Sequence, residues 1–218
     1  MRLGGASNLD DRKFEVPCDV LLPRSTRAIR AQSSKNEIEL RAYSKEAFSA
    51  YLQLLLTGKI VTREVEAQED VDEVWERLVD LYSVAVKMED AESVNQAIDE
   101  MWKMLQDNGM NELRTSCALT RMGMLKVLQM LIDYIVESED DSSRFAEWLY
   151  GERDSVYLDK DERQQILSEV TKEFMRRRGE GRAPGSESKA GAARYHIHGW
   201  RLTQDGKTVK PEGMEDAY

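Results

Sequence analysis

The most regular alternation of hydrophobic and polar positions runs from Glu73 to Leu105. Trp75, Leu78, Val79, Tyr82 and Val86 recur at helical spacing, and so do Val94, Ala97, Ile98, Met101, Trp102 and Leu105. Met88-Glu89-Asp90 interrupts the pattern, and Asp90 suits the N-cap of the second run. Asp107-Asn108-Gly109 closes it. The spacing predicts two helices with a short connection, an antiparallel hairpin. The second signal is Ser44–Ile60, SKEAFSAYLQLLLTGKI. Ser44 suits an N-cap, Glu46 the positive end of the helix dipole, and Gly58 a left-handed terminus. Phe48, Tyr51, Leu52, Leu55 and Leu56 share one apolar face, so the Phe48–Leu55 side is expected to be buried.

Shorter signals flank these. Phe14-Glu15-Val16 reads as an extended stretch closed by Pro17. Pro23–Ala31 reads as a short helix, because proline is tolerated where the N–H has no helical acceptor. Glu37–Arg41 alternates as a half-buried strand does. Thr62–Asp72 is acidic and aperiodic, hence a loop. A further helix is predicted from about Thr120 to Val136, carrying Met124, Leu128, Leu131, Ile132 and Ile135. Arg144–Gly151 holds Phe145, Trp148 and Leu149. Asp159 with Glu162 forms a capping-box pattern that opens a helix to about Arg178, with Ile166, Val170 and Phe174 as its apolar positions. From Gly179 the sequence GEGRAPGSESKAGAA has linker composition, and no period follows it. The 179–218 stretch is therefore expected to be a flexible basic tail.

Composition narrows the function. The chain has 218 residues and a formal net charge of −10, which disfavours global attraction to nucleic acid or anionic lipid. Cys18 and Cys117 are the only cysteines, too few for a disulfide framework, so a reducing compartment fits. The longest apolar cluster, Met122–Val136, is broken by Lys126, Gln129 and Asp133, and falls short of the roughly 20 residues a membrane helix needs. MRLGGASNLDD lacks a signal-peptide core. The expectation is an intracellular protein of nucleus or cytoplasm, with no membrane partner and nucleic acid disfavoured.

No motif carries a reaction. His196 and His198 are the only histidines; a structural zinc site needs about four ligands, and no cysteine or carboxylate cluster lies close to them in sequence. Cys18 has no base nearby in sequence to activate it. Glu73, Glu76 and Asp80 share a helix face, with Asp72 one turn before Glu76, but opposite the apolar stripe they read as a solvated face. Phosphate-binding glycine patterns are absent. Trp75, Trp102 and Trp148 fall on apolar stripes and read as core, and Trp200 lies in the tail. Arg176-Arg177-Arg178 suits the cationic end of a helix or a nuclear-import patch. No catalytic, cofactor-binding or metal residue is assigned. The chain is expected not to be an enzyme; a site assembled from dispersed residues is the competing reading.

Phe14–Leu105 resembles the BTB (POZ) domain, in particular the divergent BTB proteins of filamentous fungi. FEVPCDVLLPRS keeps Phe14, Val16, Val20, Leu21 and Ser25 of the pattern F-x-V-H-x-x-V-L-x-x-x-S. Ser44–Ile60 matches D-P-E-A-F-x-x-Y-L-x-W-L-Y-T-G-x-I at Glu46, Ala47, Phe48, Tyr51, Leu52, Leu55, Thr57, Gly58, Lys59 and Ile60. LVDLYSVAVKMED (Leu78–Asp90) and VNQAIDEM (Val94–Met101) follow in order. The resemblance implies an α+β fold: a BTB/POZ-like core over 1–107, N-terminally shortened, a helical extension over 108–178, and the tail. It implies non-catalytic protein–protein interaction through dimerisation or an adaptor or scaffold role, with adaptor function on a cullin-based ubiquitin ligase and nuclear regulation through the tail as alternatives. Pro17 replaces the family histidine and Cys18 the basic residue that often follows. The Ser25–Ile38 segment is short. The usual N-terminal dimerisation helix has no counterpart, so weak self-association is expected.

Overall fold

The computed structural model describes residues 2–5, 12–32, 37–39, 43–60, 71–108, 125–137, 188–198, 201–202 and 208–209, with 164, 168, 171–172 and 175–176 also helical. Strand β1 (Arg2–Gly5) pairs antiparallel with β2 (Arg12–Glu15), Leu3 opposite Phe14. It pairs parallel with β3 (Glu37–Glu39), Leu3 opposite Ile38. Helices α1 (Cys18–Leu21) and α2 (Thr26–Gln32) lie between β2 and β3. The long elements are α3 (Lys45–Thr57), α4 (Val71–Met88), α5 (Ala91–Asn108) and α6 (Leu125–Glu137). A 3-10 segment (Ser188–Tyr195) precedes the short antiparallel pair β4 (Arg201–Leu202) and β5 (Thr208–Val209).

Local chemistry explains the boundaries. The Pro23–Ala31 helix begins later than expected, at Thr26, because Ser25 supplies its cap: the Ala28 N–H donates to Ser25 Oγ at 3.0 Å. In α3 the Ala47 N–H donates to Ser44 Oγ at 3.0 Å. At the other end Gly58, with φ 69°, donates its N–H to the Leu54 carbonyl at 2.8 Å. The buried side of α3 is Ala47, Phe48, Tyr51 and Leu54. Leu52 and Leu55 are half-buried, and Leu56 is 70% exposed. Three consecutive leucines sweep about 200° of helix circumference, so periodicity alone misplaced the stripe by one residue.

In α4, Trp75, Leu78, Val79 and Tyr82 are buried as expected, and Val86 is half-buried. Yet Leu81 through Ala85 are buried without a break, so this stretch is enclosed on all sides. Ser83 tolerates that by donating to the Val79 carbonyl of its own helix at 2.9 Å. In α5 all six expected apolar positions are buried. In α6, Val127, Met130 and Leu131 are buried, and so is Asp133. Met124, and the side chains of Leu128, Ile132 and Ile135, lie outside the described residues, as do the Arg144–Gly151 stretch and Cys117, Trp148 and Trp200.

The expected α+β fold with a BTB/POZ-like core is corrected by these observations: the folded body is helical. The strands are two to four residues long, and Ile38 is the one strand residue buried among those described. Segments that short build only a small three-stranded patch, with α2 packed on β3, and not the core layer of an α+β fold. The burial belongs instead to the long 3.6-period runs, above all 71–108.

Two compact units divide the chain. The first comprises Met1–Glu69, Arg77–Ala97 and His196–Glu212; in it α1 packs on α3 and α2 on β3. The second comprises Asp70–Glu76, Ile98–Tyr195 and Gly213–Tyr218; in it α6 packs on the 3-10 segment. That segment lies in the stretch expected to be flexible, yet Ala192, Tyr195 and Ile197 within 188–198 are buried. Gly191 kinks it at φ 53°, ψ −156°, a conformation costly for any other residue.

The rotated α3 face makes a clear distinction. Leu54→Asp should abolish cooperative urea unfolding, because it buries a charge where Leu54 is 1% exposed. Leu56→Asp should shift stability by less than about 0.5 kcal/mol. Equal behaviour of the two variants would refute the assigned face.

Candidate functional site

Two clusters of polar side chains stand out, one in each unit. The first is built on the turn between α4 and α5. Glu89 sits at φ 56°, its N–H donating to the Val86 carbonyl at 3.0 Å, while the Asp90 N–H donates to the Ala85 carbonyl at 3.0 Å. This bond pair is the Schellman termination, with glutamate where glycine is usual. Arg30 Nη2 donates to the Glu89 carboxylate, and the Thr26 N–H approaches the Glu89 carbonyl at 3.4 Å. Ser25 Oγ–H donates to the Met88 carbonyl at 2.5 Å.

Asp90 then caps α5. Its Oδ1 accepts the Ser93 N–H at 3.1 Å, and its Oδ2 accepts Ser93 Oγ–H at 2.7 Å and the Tyr51 hydroxyl at 3.1 Å. Arg24 Nε lies 3.4 Å from the same oxygen, and Arg24 Nη2 donates to Ser93 Oγ at 3.0 Å. Asp90, Ser93 and Ser25 are fully buried. Burial, followed by the Asp90 charge, drives the Tyr51 phenol well above its ordinary range. Although a serine beside a carboxylate invites a catalytic reading, the bonds of this pair cap α5 and tie in Tyr51 of α3 and the Arg24 guanidinium.

The second cluster joins α6 and α5 to the 3-10 segment. The Tyr195 hydroxyl donates to Asp133 Oδ2 at 2.7 Å, and Gln129 Nε2 donates to Asp133 Oδ1 at 2.9 Å. Arg194 Nη2 lies 3.7 Å from Asp133 Oδ2, and its guanidinium carbon is 5.8 Å from the Trp102 ring centre. The same guanidinium lies 4.8 Å over the Tyr195 ring. The Trp102 ring meets Tyr134 edge-on at 6.0 Å and Tyr195 at 5.8 Å. A carboxylate, itself held by the Gln129 amide, and an indole face thus grip an arginine and a tyrosine. These are charge-assisted hydrogen bonding and cation–π recognition, each worth about 1–3 kcal/mol or less.

Further on, within the first unit, the Asn95 side-chain amide makes both bonds to one backbone residue. Nδ2 donates to the Ile197 carbonyl at 3.1 Å, and Oδ1 accepts the Ile197 N–H at 2.6 Å. Burial alternates along Tyr195, His196, Ile197 and His198: buried, half-buried, buried, exposed.

The residues weighed from sequence fall elsewhere. His196 and His198 flank the Asn95-bound Ile197, and no group of three metal-ligating side chains occurs among the described residues. Cys18 is half-buried at the start of α1. Glu73, Glu76 and Asp80 are exposed on α4, Trp75 and Trp102 are buried, and Arg176 is exposed. Asp133, Arg194, Tyr195 and Asn95 were not anticipated. The available signal was Asp133 itself, a charge inside the apolar Met122–Val136 run. Among the described residues no helix is long and apolar enough to cross a membrane. No protein-family model matches the chain, and neither does any curated protein.

Two expectations follow from the first cluster and its unit. Asp90→Ala removes the α5 cap and leaves Arg24 without its buried partner, so it should cost about 3–5 kcal/mol in urea unfolding. Asp90→Asn, which retains capping, should cost less; equal losses would refute the charge pairing. The Tyr82 hydroxyl is buried without a partner among the described residues, and burial raises its pKa. The folded state therefore holds that proton more tightly than the unfolded chain. Its contribution is intact below the unfolded value near pH 10 and is lost above it at about 1.4 kcal/mol per pH unit. Tyr82→Phe should be neutral or stabilising at pH 7 and should flatten the alkaline decline; an unchanged alkaline slope would refute this.

Proposed function

We propose that the protein is a non-catalytic protein–protein interaction module whose recognition surface includes the clamp made by Trp102 and Asp133. The observation that supports this is the way the clamp holds Arg194 and Tyr195. Ring stacking, a charge-assisted phenol bond and a guanidinium–indole contact are the means by which folded surfaces read short peptides, and none of them makes or breaks a bond. The net charge of −10 favours encounter with cationic partners.

Nuclear regulation through a basic tail has less to recommend it, since residues 179–218 contain six Lys or Arg and six Asp or Glu. A cullin-adaptor role has no comparable feature in its favour. Selection of a random peptide library on the immobilised full-length chain, at physiological salt, tests the reading. The expected outcome is a shared motif among enriched peptides, with micromolar affinity by calorimetry. Enrichment no better than on an unrelated acidic protein would overturn it.

A further inference from the structure

We infer that the clamp accepts, in trans, a peptide in which arginine is followed directly by tyrosine, and that Arg194-Tyr195 is the chain's own competitor for that seat. This rests on the interaction-module reading and names its ligand. Asp133 places a buried carboxylate on a helix whose other described buried residues are Val127, Met130 and Leu131. A charge there is costly unless paired, and its described partners beyond α6 are Tyr195 and Arg194. Trp102 offers its ring to the same two residues.

The seat is carried by regular helices, whereas its occupant is a short 3-10 segment. That segment follows a stretch of linker composition from Gly179 and is bent at Gly191. Among the described residues the occupant is held by the Tyr195 phenol bond and the Arg194 ion pair to Asp133, by the contacts of both residues with the Trp102 ring, and by the burial of Ala192 and Tyr195. Because the segment belongs to the same chain as the seat, it meets the seat intramolecularly and needs no tight intrinsic affinity to occupy it. A trans peptide with the same pair then binds with an apparent affinity reduced by the fraction of time the seat is closed.

The test uses a fluorescein-labelled peptide of sequence Gly-Ala-Ala-Arg-Tyr-His and the full-length chain, read by anisotropy. Against the chain carrying Arg194→Ala and Tyr195→Ala, the peptide should bind at least about tenfold more tightly than against wild type. Replacing its arginine by glutamate, or its tyrosine by alanine, should weaken binding by about tenfold or more. Gly191→Ala keeps both ligand residues and meets no atom of the described residues within 4 Å, so it loosens the segment through backbone strain. It should tighten trans binding in the same direction.

A release variant that fails to fold does not end the matter, because wild type supplies an independent reading. Saturating peptide should accelerate amide hydrogen exchange across residues 192–196, whereas the glutamate peptide should not. Binding that ignores the arginine and tyrosine, or exchange unchanged at saturation, would overturn the inference. A library motif lacking Arg-Tyr would overturn it too, while leaving the interaction-module reading intact; no motif at all would remove both.

Discussion

The buried carboxylate of Asp90 is the constraint on which the first unit depends. It sits where α4 must stop and α5 must start, with one residue, Glu89, in the left-handed conformation between Met88 and itself. Its backbone N–H satisfies α4, and its side chain satisfies α5. An isolated buried charge would be prohibitive, so the surrounding elements must supply donors: Tyr51 from α3, Ser93 from α5, and Arg24 from the turn before α2. Four parts of the chain are thereby located by one group. Disturbing it threatens a sizeable share of the 5–15 kcal/mol that holds an ordinary domain together.

Asp133 has similar chemistry but a different consequence. Asp90 and the groups around it belong to caps and turns that any folded state of this unit needs. Asp133 lies in the middle of α6, where a helix needs no carboxylate, and its strongest described partner is 62 residues away, the Tyr195 hydroxyl. Asp90 gathers Tyr51 and Arg24 around a helix junction, whereas Asp133 is held by Gln129 one turn away and by Tyr195 on a short, glycine-kinked segment.

What could be read from the sequence divides along the same line. Ser44, Gly58 and Asp90 were legible because caps and terminators obey rules spanning three or four residues. The α5 stripe was legible because six apolar positions at helical spacing leave one solution. The α3 face was not, since Leu54, Leu55 and Leu56 satisfy the pattern equally until packing chooses among them. The fold class failed for a related reason. Short alternating stretches such as Glu37–Arg41 announce strands, but do not reveal whether those strands form a layer or stay marginal to a helical body. The clamp was invisible because it needs Trp102, Asp133 and Tyr195 together, and linker composition before Tyr195 argued against order.

That misleading composition has a physical reading of its own. Glycine, alanine and serine add little side-chain contact, so a segment rich in them is held only by the few large residues it contains. Here those are Arg194, Tyr195 and Ile197. Gly191 adds a conformation that non-glycine residues reach only with strain, and no atom of the described residues lies within 4 Å of where a Cβ would stand. The binding energy is therefore concentrated in a handful of side chains that meet specific partners, Asp133 and Trp102 for one pair and Asn95 for the backbone of Ile197.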